Sequence, residues 1–165
     1  MKTLIVVDMQ NDFITGSLGS EDAKRIVPYV KEKVESFEGR VIFTMDTHDK
    51  NYLNTQEGKK LPVEHCVWGT DGWHICDELA PYVRETFEKK TFGSMKLPYA
   101  IDAANEEIEL CGLCTDICVI SNAMILKAAL PEMRIVVDSK GCAGVTKESH
   151  ELALNAMRAV QIEVI

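Results

Sequence analysis

Cys118, within the run of residues 112–119, is the strongest candidate for a nucleophile in this chain. An apolar stretch over 108–111 ends just before this run, and a helical pattern begins just after it. Cys118 is therefore expected in the first turn of a helix that follows a strand. There the helix dipole and free backbone N–H groups favour an anion, so we expect an accessible thiolate near neutral pH. Such a thiolate is suited to attack a carbonyl carbon.

Asp8 and Lys89 are candidates to assist this nucleophile. A thiol needs a proton acceptor, which the Asp8 carboxylate can be, and an ammonium beside both groups would keep the carboxylate charged and stabilise the thiolate. Backbone N–H groups of the turn from Cys114 to Cys118 are candidates for an oxyanion hole. Taken singly, each side chain also has an ordinary structural explanation: a turn cap, a solvated lysine and a small apolar core residue.

A second constellation consists of Asp46, His48 and, further along the chain, His65. An aspartate and a histidine two residues apart on an extended segment can reach the same ion where the strand end bends. A third ligand from the following loop would leave positions open for water, which is typical of a catalytic metal site.

Apolar, β-branched runs alternate with helical stretches along the whole chain. We predict strands over 3–8, 40–45, 86–89, 107–111, 134–138 and 161–165. We predict helices over 21–35, 75–83, 116–129 and 147–159. Ser20 and Thr146 are the expected N-caps, and Pro131 marks a helix end. The irregular segment 47–73 is long enough to be a functional loop.

This alternation predicts an α/β fold in which helices cover both faces of a parallel sheet. Ligands of such folds bind at the carboxyl ends of the strands. Asp8, Asp46 and Lys89 end the first three predicted strands, and Cys118 follows the fourth. We therefore expect all four side chains at one edge of the sheet.

Composition narrows the class of protein. A chain of 165 residues fits a single domain over 1–165. A net charge of −8 without a basic patch argues against a nucleic-acid partner. No apolar stretch is long enough to span a membrane, and the first residues predict a strand rather than a signal peptide, so we expect a cytoplasmic protein without membrane contact. Its six cysteines are then expected as thiols, although Cys111, Cys114 and Cys118 leave open a thiol redox or persulfide-handling protein.

Five segments, in this order, resemble the motifs of one known family. They are D-x-Q-x-D-F at 8–13, D-x-H at 46–48, the segment 61–70 around His65, the nucleophile motif at 112–119 and the stretch 138–145. Together they resemble the isochorismatase-like cysteine hydrolases, which include nicotinamidases and isochorismatases. The resemblance covers nearly the whole chain.

The resemblance implies a three-layer, Rossmann-like αβα fold with a six-stranded, mainly parallel sheet. It makes Asp8 the general base, Lys89 its charged partner and Cys118 the nucleophile. It also implies a cis peptide bond before Cys114, with the N–H groups of Cys114 and Cys118 binding the carbonyl oxygen. In the family the lysine lies three residues before an aromatic residue, here Phe92, and this spacing selects Lys89. Lys90 is the alternative.

Cys118 favours the amide-cleaving branch, since isochorismatases lack this cysteine. The nicotinamidase-like branch implies a divalent metal, expected to be zinc, held by Asp46, His48 and His65. Phe13 and Trp68 are candidates to contact the substrate. The chain departs from that branch in lacking both a histidine over 49–54 and a tryptophan just before the 62–65 segment.

We therefore predict an amidohydrolase of a small-molecule amide, foremost of nicotinamide, which acts through a cysteine thioester. The alternatives are a hydrolase of the same family that acts on an N-carbamoyl or ureido compound, a thiol redox protein, and a catalytically silent binding member. The resemblance also implies a homo-oligomer.

Overall fold

A computed structural model of the protein describes residues 1–102 and 104–165. They form a six-stranded sheet in the order β3-β2-β1-β4-β5-β6, and every neighbouring pair is parallel. The strands are β1 (Lys2–Val7), β2 (Arg40–Asp46), β3 (Thr86–Lys89), β4 (Glu107–Leu113), β5 (Arg134–Ala143) and β6 (Glu163–Val164). With helices on both sides of the sheet, the predicted three-layer α/β fold is confirmed.

Five α-helices connect or follow these strands within the described residues. They are α1 (Asn11–Ile14), α2 (Glu21–Ser36), α3 (Gln56–Lys60), α4 (Ile120–Ala129) and α5 (Lys147–Ala159). A π-helical turn, Thr115–Val119, leads into α4. Short 3₁₀ turns lie at Tyr52–Asn54, Asp71–Trp73, Ala80–Tyr82 and Leu97–Ala100. No described helix has the length and apolar character that a membrane crossing requires.

The central strands are buried because helices cover both sides of the sheet. All seven residues of β4 are buried, as are five of the six residues of β1. Continuous apolar runs are therefore favoured over an alternating pattern. Helix α2 contributes an apolar stripe at helical spacing, namely Ala23, Ile26, Val27, Val30 and Val34.

Helix starts follow the predicted capping residues. The Ser20 hydroxyl accepts a hydrogen bond from the Ala23 N–H at 3.0 Å, and α2 begins at Glu21. The Thr146 hydroxyl accepts from the Ser149 N–H at 3.0 Å, while Ser149 Oγ accepts from the Thr146 N–H. This capping box satisfies donors that the first helical turn leaves unpaired.

The helix predicted over 75–83 is wrong. Ile75 pairs with Gln10 in an antiparallel bridge, and the Cys76 N–H donates to the Met9 carbonyl, so the segment begins as extended chain. Pro81 lacks a backbone donor, and only the 3₁₀ turn Ala80–Tyr82 forms.

Strand β5 is longer than predicted. It continues past Asp138 through a register shift opposite β4, so that Cys142 pairs with Gly112 and Ala143 with Leu113. The polar residues at 139–141 resembled a strand end in sequence, but here they lie within a bulge.

The nucleophile turn lies where the strand order changes direction. Strand β1 has β2 on one side and β4 on the other, and the chain crosses between them. This is the position at which open α/β sheets form a crevice beyond the carboxyl ends of their strands. The fold therefore brings the ends of β1, β2, β3 and β4 to one edge.

Candidate active site

Asp8 follows β1 and is fully buried at the carboxyl ends of the strands. Its backbone adopts a left-handed conformation, with φ of 47°, which aspartate tolerates better than most residues. The Thr44 hydroxyl donates a hydrogen bond to Asp8 Oδ1 at 2.7 Å, and Lys89 Nζ lies 2.6 Å from Oδ2. Burial raises the pKa of the Asp8 carboxyl, while the Lys89 ammonium opposes this rise.

Lys89 ends β3 and joins the other groups. Its Nζ donates to the Thr91 carbonyl at 3.1 Å and lies 3.5 Å from Cys118 Sγ. Burial alone would lower the pKa of Lys89, but the negative charges of Asp8 and Asp46 and the hydrogen bond to Asp8 raise it above its ordinary value, so the side chain is an ammonium. Lys90, the alternative from the sequence, has an exposed side chain.

The structure thus brings Asp8, Lys89 and Cys118 together. Burial raises the pKa of the Cys118 thiol well above its ordinary value, the Asp8 charge adds to this rise, and Lys89 opposes it. The lowering of the thiol pKa that a helix start favours is therefore outweighed here by burial and by the charge of Asp8. A thiol with a raised pKa has to give up its proton to a base such as Asp8 as it attacks.

The turn that carries Cys118 begins at a cis peptide bond between Leu113 and Cys114, as the resemblance implied. The N–H groups of Ile117 and Val119 both donate to the Cys114 carbonyl. The turn is π-helical rather than the first turn of a regular α-helix, and α4 starts only at Ile120. The oxyanion role of the Cys114 and Cys118 N–H groups stays a prediction.

Beside this set, four side chains form a group that could hold a metal ion: Asp46, His48, Glu57 and His65. Their donor atoms all lie within 4.8 Å of one another. His48 Nε2 lies 3.0 Å from Asp46 Oδ2, and His65 Nε2 lies 3.6 Å from the same oxygen. The Val63 carbonyl lies 2.8 Å from His65 Nδ1, which leaves Nε2 facing the group.

The chain brings these residues together through local pairing after β2. The His48 N–H donates to the Cys66 carbonyl, and the Trp68 N–H donates to the His48 carbonyl. The Asp12 carboxylate accepts from the Cys66 N–H at 2.8 Å and anchors this loop. His65 is thereby held close to the end of β2.

Gln10 and Asp12 of the first motif are supports whose contacts the sequence did not reveal. The Gln10 side chain donates to the Asp46 carbonyl and accepts from the Asp46 N–H, each at 2.8 Å. Both polar functions of one amide therefore fix the backbone at which Asp46 projects its carboxylate.

Glu57 is the member of the four-residue group that the sequence prediction missed. It lies on α3, and its Oε1 is 3.7 Å from His48 Nε2 and 3.8 Å from His65 Nε2. Glu57 lies within the segment 47–73, which the sequence predicted to be a functional loop. No fixed spacing from the D-x-H motif could have singled out Glu57 within that loop. Two imidazole nitrogens and two carboxylates fit a divalent metal, and Asp46 Oδ1 has no hydrogen-bond partner among the described residues.

The two predicted substrate contacts lie in different surroundings. The Phe13 ring is buried, with its centroid 5.5 Å from that of His65. Trp68 is 67% exposed and lies 6.2 Å from the Trp73 ring, at a cavity of about 360 Å³ that His48 and Lys90 also line. Phe13 is thus close to the metal-binding group, whereas Trp68 lies at its outer side; both roles stay predictions.

The fold and site define an α/β protein with an acid, an ammonium and a thiol at the carboxyl edge of a parallel sheet. The family model of the Isochorismatase domain matches residues 2–165. The chain therefore belongs to the isochorismatase family, as its motifs predicted.

Two curated relatives align over nearly their full length. A Bacillus subtilis isochorismatase family protein, PncA, is 29% identical and covers 93% of this chain and 92% of its own. A Mycobacterium tuberculosis nicotinamidase/pyrazinamidase is 26% identical and covers 100% of this chain and 98% of its own. The family and these relatives confirm the predicted class, a hydrolase of amide carbon–nitrogen bonds.

Solved structures agree with the fold. Nicotinamidase/pyrazinamidase PncA of Bacillus subtilis superposes with a TM-score of 0.84 at 27% identity, covering 99% of this chain and 98% of that one. A Pyrococcus horikoshii pyrazinamidase in complex with zinc also has a TM-score of 0.84, at 23% identity, with 99% of this chain and 98% of that one covered.

Proposed function

We propose that this protein hydrolyses nicotinamide to nicotinate and ammonia through a thioester on Cys118. The position of Lys89 supports this most directly, because its Nζ lies 2.6 Å from Asp8 Oδ2 and 3.5 Å from Cys118 Sγ. Such contacts suit a proton acceptor and a nucleophile that share one ammonium. The relatives named nicotinamidase or pyrazinamidase support the choice of a pyridine- or pyrazine-type amide.

In the first half-reaction Asp8 takes the thiol proton while the Cys118 sulfur attacks the amide carbonyl carbon. The carbonyl oxygen becomes an oxyanion, which the Cys114 and Cys118 N–H groups bind in the proposed arrangement; each such donor is worth about 2.7–4 kcal/mol in comparable sites. The carbon–nitrogen bond then breaks, and the proton on Asp8 leaves with ammonia.

In the second half-reaction water replaces the amine. Asp8, again a carboxylate, takes a proton from the water while the water oxygen attacks the thioester carbon. The carbon–sulfur bond breaks, the sulfur regains the proton from Asp8, and the product leaves as a carboxylic acid, which loses its remaining proton to solvent and becomes the carboxylate. Lys89 stays an ammonium throughout and compensates the negative charge that moves between Asp8 and Cys118.

Asp46, His48, Glu57 and His65 would hold a divalent metal, and zinc is the proposed ion because a structural relative binds it. When bound, the ion supplies a Lewis acid that can orient a ring nitrogen or water. The Phe13 ring beside His65 would then lie against the bound ring of the substrate.

The first prediction tests the nucleophile and the substrate together. Ammonia release from nicotinamide should be measured for the wild-type protein and for Cys118→Ala, beside a panel of N-carbamoyl and ureido compounds. We expect turnover of nicotinamide by the wild type and none by the variant, because the thioester cannot form.

The buried Cys111 offers a matched control, since Cys111→Ala removes a thiol away from the crevice and should keep most of the activity. Wild-type rates in Cys118→Ala would exclude the thioester mechanism. Turnover of carbamoyl compounds alone would exclude nicotinamide as the substrate and favour the other amide class.

A further inference from the structure

Asn122 is a fully buried polar residue on α4 that none of the chemical steps above uses. Its side chain is 0% exposed and lies one helical turn after Cys118. An amide in the apolar interior is costly unless its polar atoms are paired. The hydrogen-bond partners of the Asn122 side chain therefore show which parts of the chain it connects.

Both ends of the Asn122 amide are paired. Nδ2 donates to the Cys118 carbonyl at 2.8 Å and to the Phe92 carbonyl at 3.2 Å. Oδ1 accepts from the Ser94 N–H at 3.0 Å. One side chain thus connects the backbone of the nucleophile to a segment from a different part of the chain.

That segment begins three residues after Lys89. Lys89 Nζ donates to the Thr91 carbonyl, one residue before Phe92. A continuous series of contacts therefore runs from the Cys118 carbonyl through Asn122 and the 92–94 backbone to the ammonium beside the sulfur.

The 92–94 segment also packs against α4 with no spare room. A Cβ added at Gly93 would lie 2.7 Å from Ile125 Cδ1 and 3.1 Å from Ser121 Cβ. Because this close approach involves apolar contact, it is independent of the hydrogen bonds of Asn122. It places the same segment on the same face of the helix.

We infer that Asn122 is a positioning residue, which sets the separation of the Lys89 ammonium from the Cys118 sulfur by joining the 92–94 segment to the start of α4. The inference rests on the proposed function, in which that ammonium serves the sulfur and Asp8. Without the link the segment can shift away from α4, and Lys89 shifts with it.

Two substitutions separate this link from the bond within the helix. Asn122→Ala removes all three hydrogen bonds. In Asn122→Thr the hydroxyl can still donate to the Cys118 carbonyl, as helical threonines do to the carbonyl four residues earlier, but it is too short to reach both Phe92 and Ser94. Thr therefore keeps the local bond and loses the link.

Asn105 provides a matched control at the opposite edge of the sheet. It is also a buried asparagine, accepts from the Thr3 hydroxyl at 3.0 Å and donates to the Asp102 carbonyl at 2.9 Å. Asn105→Ala should lower stability to a similar degree and leave the crevice unchanged.

The experiment measures kcat and KM for nicotinamide, the rate of Cys118 alkylation by iodoacetamide at neutral pH and the thermal midpoint. For both Asn122 variants we expect kcat to fall about 10-fold or more, with KM within about twofold, because a small displacement of catalytic groups acts mainly on the chemical step. Alkylation should slow several-fold, because the ammonium no longer stabilises the thiolate.

The inference is overturned if Asn122→Thr keeps the wild-type kcat and alkylation rate, or if Asn105→Ala causes equal losses at an equal change in thermal midpoint. If the wild-type protein releases no ammonia from nicotinamide, the proposed function fails. The alkylation rates still decide then whether Asn122 positions Lys89 beside Cys118, since iodoacetamide needs no substrate amide.

Discussion

Asp8 carries opposing demands, because it must be charged to accept a proton and yet is completely buried. Burial raises the pKa of its carboxyl, and the hydrogen bond from Thr44 and the ammonium of Lys89 oppose this effect. Thr44 lies on β2, one strand away from Asp8, so a residue with no chemistry of its own helps to set the charge of the proposed base.

Thr44→Val keeps the side-chain shape and removes the donor of this hydrogen bond. Without that hydrogen bond the pKa of Asp8 rises further, so the carboxylate exists only at higher pH. The acidic limb of the kcat/KM profile should move to higher pH, and the rate at a fixed pH below the limb should fall about 10-fold, since the lost hydrogen bond is one to a charged group.

Thr3→Val is the matched control for this measurement. Thr3 is a fully buried threonine on β1, and its hydroxyl donates to Asn105 at the far edge of the sheet. Its replacement should lower stability without moving the profile. An unmoved acidic limb in Thr44→Val would contradict the role assigned to the Thr44 hydroxyl.

Among the secondary-structure elements, β1 and β4 approach each other closely beside the proposed active site. Gly112 has a φ of 115°, a region that side chains rarely adopt, and a Cβ there would lie 2.2 Å from the Val7 carbonyl oxygen. Only glycine allows the two strands to approach at the point where Asp8 and the nucleophile turn leave the sheet.

Gly112→Ala should therefore destabilise the protein by more than about 3 kcal/mol in chemical denaturation, because the backbone conformation and the contact with β1 are both lost. Gly69→Ala separates the two causes. Gly69 also has a positive φ, of 78°, but a Cβ there would meet nothing within 4 Å. Its replacement should cost about 1–2 kcal/mol. Equal losses at both glycines would show that the contact with Val7 contributes little.

The folded protein assembles the metal-binding group from four side chains within residues 46–65. Asp46 ends β2, Glu57 lies on α3, and His48 and His65 lie before and after that helix. An ion bound by the folded protein alone stabilises it by RT ln(1 + [L]/Kd). The proposed metal site should therefore affect the unfolding of the entire chain.

Zinc added to metal-free protein at about 100 times its Kd should contribute about 2.7 kcal/mol and raise the thermal midpoint by roughly 5–10 °C. Glu57→Gln should reduce this shift, since the amide is a weaker ligand, whereas Glu78→Gln, at an exposed glutamate, should not. Equal shifts in wild type and Glu57→Gln would exclude Glu57 from the metal site.

The homo-oligomer stays a prediction. Sedimentation velocity of the same samples would measure the oligomeric state.

The order of strands and helices was determined by local sequence. Continuous apolar runs predicted buried parallel strands, and hydroxyl caps predicted the first residues of α2 and α5, because both signals depend on neighbouring residues. The strand-end positions of Asp8, Asp46 and Lys89 followed from that order. The segment over 75–83 failed as a helix because its pairing with residues 9 and 10 is not a local property.

Tertiary structure alone decided which groups share an environment. The raised pKa of the Cys118 thiol results from burial and from the charge of Asp8, which outweigh the effect of a helix start. Glu57 joined the metal-binding group, and Asn122 linked α4 to the segment after Lys89, without any spacing that sequence displays. These outcomes depend on distances between residues far apart in the chain, and such distances arise only when the sheet is assembled.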